Sequence, residues 1–254
     1  MFTEEWTAVS DAAKIKLDFL RRNPFGYFVA SLLAGLFVGF GVLTAFTAGG
    51  LLAGLPYARI VTGAAFGMAL SLVVMAGAEL FTGNNMVMAA GMFARTVKPR
   101  DVLILWAVCY IGNWAGSVLL AAAFFGTGLA SGPVGEFMAA ASEAKMNLPF
   151  VQLFLRGVLC NILVCLAVWC AFRCKSESGK LIMVFWCLFA FVVGGFEHSI
   201  ANMTLLTVSL LAPFETAVGF GGYLYNILVA TLGNIVGGAL FVAAPYYCVQ
   251  RGRK

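Results

Sequence analysis

The chain has 254 residues, of which 62% are hydrophobic and 11% charged, and its mean hydropathy is +0.95. Soluble domains carry roughly 25% charged residues and disordered chains combine low hydrophobicity with high net charge, so the composition excludes both classes. No basic groove or motif accompanies the net charge of +5, which argues against nucleic-acid binding. A transmembrane helix needs about 20 apolar residues, so the length allows about six spans joined by short loops.

The spans are visible as gaps between charged residues. Glu79 interrupts the second gap and the pair Glu197–His198 interrupts the fifth; the other four contain no charge. Long continuous apolar stretches favour helices over barrel strands, which would be shorter and alternating. We therefore predict an all-α integral membrane domain over 24–250, with a cytoplasmic N-terminal segment 1–23 and a tail 251–254. The six gaps are 24–58, 60–94, 102–135, 157–172, 181–214 and 216–250.

Basic residues predict the orientation. Thirteen of the sixteen lysines and arginines precede the first span or follow the second, fourth and sixth, and three lie on the alternate side. Because short cytoplasmic loops are enriched in basic residues, both termini are expected to be cytoplasmic. No cleavable signal peptide is apparent, because the first residues are acidic and polar before any apolar run. The three basic residues on the alternate side are Arg59, Lys145 and Arg156.

Residues 3–22 have the pattern of an amphipathic helix, with Trp6, Val9, Ala13, Leu17 and Leu20 on one face. Such a helix usually lies at the membrane interface, where it would orient the first span. A cytoplasmic gate is the alternative.

The second and fifth apolar segments contain similar polar interruptions, at 77–84 (GAELFTGN) and 195–202 (GFEHSIAN). The spans that follow also match, with Asn113 in GNWAG and Asn234 in GNIVG. Each half contains three spans, and an odd number inserts the second half upside down. The sequence thus predicts two inverted three-helix repeats, about 24–130 and 148–250, with broken second and fifth helices and a site near the bilayer midplane.

Placing an ionised side chain at the centre of a bilayer costs on the order of 2.5–3.5 kcal/mol of insertion free energy. The ionisable residues at the breaks therefore need partners or a water-filled cavity. Glu79 and Glu197 occupy equivalent positions, and we expect each to accept hydrogen bonds from backbone N–H groups freed at its break. His198 is the single histidine and has no counterpart, since Leu80 stands at the equivalent position. Histidine exchanges protons near neutrality and donates a hydrogen bond in either state, so His198 is the candidate functional group. Thr82 would present a hydroxyl to the same lumen.

Large apolar side chains near the breaks would narrow a pore and exclude hydrated ions. The constriction candidates are Phe66, Leu70, Leu80, Phe81 and Phe191.

No metal or cofactor site is expected, because the seven cysteines lack a pair of CxxC motifs or a histidine partner.

Three segments resemble signature segments of the formate/nitrite transporter family: 74–83 (VMAGAELFTG), 157–169 (GVLCNILVCLAVW) and 195–203 (GFEHSIANM). The stretch 197–204 (EHSIANMT) is most similar to the bacterial nitrite branch. The resemblance implies an aquaporin-like six-helix protomer in a homopentamer, with one pore through each protomer.

The resemblance also implies residue roles. His198 would be the central pore histidine, Thr82 the threonine on a facing loop, and Glu197 the buried glutamate beside the histidine. Asn161 and Asn202 would orient the histidine or line the path. Lys145 would attract anions at the periplasmic vestibule. The constrictions implied are Leu70 and Leu80 on the cytoplasmic side, with Phe66 and Phe191 on the periplasmic side.

The predicted function is passage of small monovalent anions, nitrite first, across the cytoplasmic membrane of a bacterium. His198 would donate a hydrogen bond or a proton, so a channel and a proton-coupled transporter both remain open. Formate or hydrosulfide on the same scaffold is an alternative. A neutral-solute pore is disfavoured in its aquaporin form by the missing Asn-Pro-Ala pair, and a non-transporting scaffold would not need a buried Glu-His pair. Enzymatic activity is disfavoured because no nucleophile–base pair, metal cluster or cofactor loop is present.

Overall fold

A computed structural model describes residues 2–251; the tail residues Arg253 and Lys254, predicted to be cytoplasmic, lie outside them. All regular secondary structure in the described residues is helical, and we number the ten helices in order. They are α1 (Thr3–Arg22), α2 (Pro24–Leu51), α3 (Ala58–Gly77), α4 (Phe81–Phe93), α5 (Pro99–Gly126), α6 (Gly132–Met146), α7 (Phe150–Arg173), α8 (Glu177–Gly194), α9 (Ser199–Leu211) and α10 (Phe220–Arg251).

Six of these helices are long and apolar enough to span a membrane: α2, α3, α5, α7, α8 and α10. The short helices α4 and α9 continue the second and fifth segments after a break. Each break begins with a glycine in the left-handed region, Gly77 at φ 81° and Gly195 at φ 72°, which other residues rarely adopt. The predicted six spans and the broken second and fifth helices are confirmed.

The third apolar segment is shorter than predicted. It was expected to extend over 102–135, but α5 ends at Gly126 and a separate helix, α6, begins at Gly132. Gly128 and Gly132 have positive φ, and Pro133 fits only the first turn of a new helix. Hydropathy alone does not register this turn because the residues around it are uncharged.

Helix α1 has the predicted bounds, but its apolar face is covered by protein. Trp6, Val9, Ala13 and Leu17 are buried. The helix packs along α4, where a Cβ at Gly91 would lie 2.4 Å from the Cβ of Ala13. The face expected to contact the membrane interface therefore anchors α1 to the end of the bundle.

The two halves are built on the same close helix crossing. Helix α2 crosses α5, where a Cβ at Gly116 would lie 2.0 Å from the carbonyl oxygen of Leu32. Helix α7 crosses α10, where one at Gly237 would lie 2.4 Å from the carbonyl oxygen of Val158. Small residues allow this backbone-to-backbone approach. The crossings bring the polar residues of α5 and α10 to the breaks.

Candidate functional site

Two large cavities open at opposite ends of α3. One, of about 510 Å³, is lined by residues at the end of α3 together with Lys16 of α1; we call it the Lys16 vestibule. The other, of about 710 Å³, is lined by residues at the start of α3 together with Lys145 of α6; we call it the Lys145 vestibule. A central cavity of about 10 Å³, about the space one water needs, lies between them.

Apolar side chains separate these cavities. Leu70 and Leu80 line both the Lys16 vestibule and the central cavity. Phe66 and Phe191 line both the central cavity and the Lys145 vestibule, with ring centroids 5.3 Å apart. The structure thus places four of the five candidate constriction residues along one path, as two barriers in series.

Phe81 departs from the expectation. Its ring packs edge-on against Tyr110, at a centroid distance of 4.9 Å, and against Trp106. It lines none of the three cavities. Phe81 is the first residue of α4, and its side chain turns away from the path toward α5.

His198 lies between the barriers, at the second break. Its Nδ1 accepts a hydrogen bond of 3.0 Å from the backbone N–H of Ala201 and so caps α9. Its Nε2 lies 3.0 Å from Oγ1 of Thr82. Because Nδ1 is an acceptor, the proton of the neutral ring is on Nε2 and is donated to Thr82. The ring lines both the central cavity and the Lys145 vestibule.

Asn161 and Asn202 have different surroundings. Asn161 makes no hydrogen bond to His198 and lines none of the three cavities; its amide donates to the carbonyl oxygens of Thr82, at 3.2 Å, and Asn234, at 2.6 Å. It therefore positions the backbone behind Thr82. Asn202 lines the Lys145 vestibule and donates to Oε2 of Glu197 at 2.6 Å.

The buried Glu197 and the partly buried Glu79 are each paired with a lysine at their own vestibule. Lys145 Nζ lies 2.8 Å from Oε1 of Glu197, and Lys16 Nζ lies 2.7 Å from Oε1 of Glu79. Asn84 donates to Oε2 of Glu79 at 2.9 Å, which matches the contact of Asn202 with Glu197. In each half, the lysine lies on the helix before the first span, α1 or α6.

The sequence prediction missed Lys16. It is separated from Glu79 by 63 residues, whereas Lys145 is separated from Glu197 by 52. The repeat was recognised because equivalent residues are separated by a nearly constant number of positions, and the two lysines do not follow that separation.

The backbone at the first break is held by Asn113 of α5. Its Oδ1 accepts from the N–H of Phe81 at 2.9 Å, and its Nδ2 donates to the carbonyl oxygens of Ser31, at 2.7 Å, and Glu79, at 2.9 Å. The expectation that the glutamate bonds this N–H is wrong. A side-chain amide can accept from a backbone N–H and also donate to backbone carbonyl oxygens, whereas an ionised carboxylate can only accept.

Asn234 of α10 makes the same contacts at the second break. It accepts from the N–H of Ser199 at 2.9 Å and donates to the carbonyl oxygens of Gly157, at 2.8 Å, and Glu197, at 3.0 Å. The asparagines therefore satisfy the backbone groups at the breaks, and the carboxylates face the vestibules instead.

Comparison with known proteins gives consistent results. The family model "Formate/nitrite transporter" matches residues 3–248. The nitrite transporter NirC of Escherichia coli (strain K12) is 40% identical over 227 residues, which cover 89% of this chain and 84% of that protein. A solved structure described as an FNT family ion channel superimposes with a TM-score of 0.93 at 35% identity, covering 98% of this chain and 99% of the other. A pentameric formate channel with formate bound superimposes with a TM-score of 0.81 at 28% identity, covering 90% of this chain and 98% of the other.

Proposed function

The chain belongs to the formate/nitrite transporter family, and from that premise we propose that it conducts nitrite through one pore in each protomer. The observation that carries the proposal is the contact between His198 and Thr82, enclosed between two apolar barriers. The 40% identity with a nitrite transporter supports nitrite as the principal anion.

The barriers impose the main energetic cost, because an anion must lose most of its hydration shell to pass them. The excess of basic residues at the Lys145 vestibule raises the local concentration of anions there. Between the barriers, Nε2–H of His198 and the hydroxyl of Thr82 are the two side-chain donors that replace lost water. The start of α9 lies at His198 and the start of α4 lies next to Thr82, so the positive ends of two helix dipoles also favour an anion here.

We propose that His198 acts by donating a hydrogen bond. Giving a proton to the anion requires a ring protonated on both nitrogens. Protonated Nδ1 would face the N–H of Ala201 and would lose the hydrogen bond that caps α9. The proton-coupled alternative therefore has to disrupt the start of α9 in every cycle, whereas an anion channel leaves it intact.

The protein spans the membrane several times, and we infer that it does so in the cytoplasmic membrane of a bacterium with both termini in the cytoplasm. The excess of basic residues on the side of the termini supports this orientation, which opens the Lys145 vestibule to the periplasm. Cys248 near the C-terminus is exposed and gives a direct test. A membrane-impermeant maleimide should label it only after intact cells are permeabilised, with Cys248→Ser as the control.

We also infer a homopentamer, because the similar formate channel is pentameric. Formate is the second candidate substrate, supported by the same structure with formate bound. Mass measurement of the protein in detergent would establish the number of subunits.

The deciding experiment is anion flux in proteoliposomes, with nitrite, formate and hydrosulfide compared in the presence and absence of a pH gradient. We expect nitrite to move fastest and to equilibrate without accumulating. Accumulation driven by the pH gradient would contradict the channel mode and favour proton coupling. Faster movement of formate or hydrosulfide would contradict the assignment of nitrite.

A further inference from the structure

The three basic residues on the alternate side of the predicted topology all converge on one cavity. Arg59 from α3, Lys145 from α6 and Arg156 from α7 line the Lys145 vestibule. The three acidic residues on that side, Glu136, Glu143 and Glu215, do not line it. Basic residues are disfavoured on this side of a membrane protein, so their collection at the mouth of the pore requires a reason.

The two arginines in this vestibule carry uncompensated charge. Lys145 is paired with Glu197, but within residues 2–251 neither Arg59 nor Arg156 has a carboxylate oxygen within 4.0 Å. The vestibule is therefore lined by three cations and one carboxylate. Such an excess of positive charge in a concave site attracts and retains anions.

The Lys16 vestibule lacks this excess. Its cations are Lys16, paired with Glu79, and Lys180, paired with Glu177. Among residues 2–251, no arginine lines it. The two vestibules therefore share the lysine–glutamate pair of the repeat and differ in the arginines, which belong to one end only.

Both arginines are joined to the break that bears His198. A Cβ at Gly195 would clash with Nη2 of Arg59, so the guanidinium lies against the C-cap glycine that follows α8. The carbonyl oxygen of Arg156 accepts a hydrogen bond of 3.2 Å from the N–H of Glu197. Both arginines therefore adjoin the backbone of the second break.

We propose that Arg59 and Arg156 form an outer binding site that selects planar anions with two oxygen atoms, nitrite and formate, before they reach the aromatic barrier. This site extends the proposed function and depends on it. A guanidinium offers planar paired N–H donors, which match two oxygens of one anion. Hydrosulfide has a single acceptor atom and cannot be held in this way, and lysine offers only a point charge.

The test is equilibrium exchange of isotope-labelled nitrite, formate or hydrosulfide in proteoliposomes. Equal concentrations on both sides make the result independent of how the protein is oriented. The variant Arg59→Lys/Arg156→Lys keeps both charges and removes both planar donor groups. Arg100→Lys, an exposed arginine that lines neither vestibule, is the matched control.

We expect the half-saturating concentration of nitrite and formate to rise about tenfold in the double variant, a loss typical of bidentate, charge-assisted hydrogen bonds. That of hydrosulfide should change less than about twofold, because the charge is preserved. Unchanged half-saturating concentrations for all three anions, or an equal rise for all three, would overturn the outer binding site. The proposed function would stand in either case, because it rests on the flux of the wild-type protein. A wild-type protein that exchanges neither nitrite nor formate would overturn the proposed function and this site together.

Discussion

The imidazole of His198 and the hydroxyl of Thr82 meet at 3.0 Å, although 116 residues separate them in the chain. Each belongs to the start of a half-helix, α9 or α4, and the two half-helices come from opposite repeats. The contact therefore exists only because the repeats are inverted and their breaks face one another.

Replacing Thr82 by valine should reduce nitrite flux about tenfold. Valine preserves the shape but removes the hydroxyl that donates to the anion between the barriers, and a hydrogen bond to a charged group contributes roughly 1.5–3 kcal/mol. Thr82→Ser retains the hydroxyl and should keep flux within about threefold of the wild type. Initial rates in proteoliposomes measure both variants, and equal rates for valine and serine would remove the hydroxyl from the mechanism.

His198→Asn should fold, because asparagine is among the best residues at a helix N-cap and can accept from the N–H of Ala201. It keeps a side-chain N–H donor. We expect partial nitrite flux, because the amide N–H of asparagine takes the place of Nε2–H as a donor to the anion. Initial rates in proteoliposomes measure this, and a complete loss of flux would contradict the role of His198 as a hydrogen-bond donor.

Asn234→Ala should destabilise the protein strongly. It removes the hydrogen bonds to the N–H of Ser199 and to two carbonyl oxygens, and leaves these buried groups unpaired at roughly 1–3 kcal/mol each. We expect the thermal midpoint in detergent to fall by about 5 °C or more. Asn147→Ala, on the exposed surface, should leave it unchanged. Equal effects at both positions would contradict the assigned role of the asparagine.

Lys16→Met should lower the thermal midpoint, because it leaves the largely buried carboxylate of Glu79 without its cation. Adding Glu79→Gln should restore more than half of the loss, since the unpaired charge is then gone. The exposed pair of Lys180 and Glu177 provides the comparison, where Lys180→Met should have little effect. A double variant less stable than Lys16→Met alone would argue against the pairing.

Leu80→Ala should allow acetate, a larger anion, to pass several times faster than in the wild type, because it widens the barrier at the Lys16 vestibule. Leu206→Ala is the control, since Leu206 is fully buried but lines none of the cavities. It should destabilise the protein without changing acetate flux. If both variants admit acetate equally, general loosening and not the width of the barrier is the cause.

Much of the site was recognisable from the sequence because hydropathy makes polar residues conspicuous. Glu79, Glu197 and His198 interrupt segments that are otherwise uncharged, and their matching contexts reveal the repeat. Asn113 and Asn234 were found as part of that repeat, but their function was assigned to the glutamates. Sequence spacing shows which residues are equivalent, whereas the donors and acceptors that they reach depend on the crossing of α2 with α5 and of α7 with α10.

The sequence by itself determined the six spans, the two breaks and the inverted halves, because each follows from hydropathy and from a local pattern that the bilayer enforces. Only the tertiary structure decided which side chains face the path. It joined Lys16 to Glu79, turned Phe81 away from the path and placed Asn161 behind Thr82. It also gathered Arg59 and Arg156 at one vestibule. These outcomes depend on the rotation and packing of helices far apart in the chain, which no periodicity within one segment records.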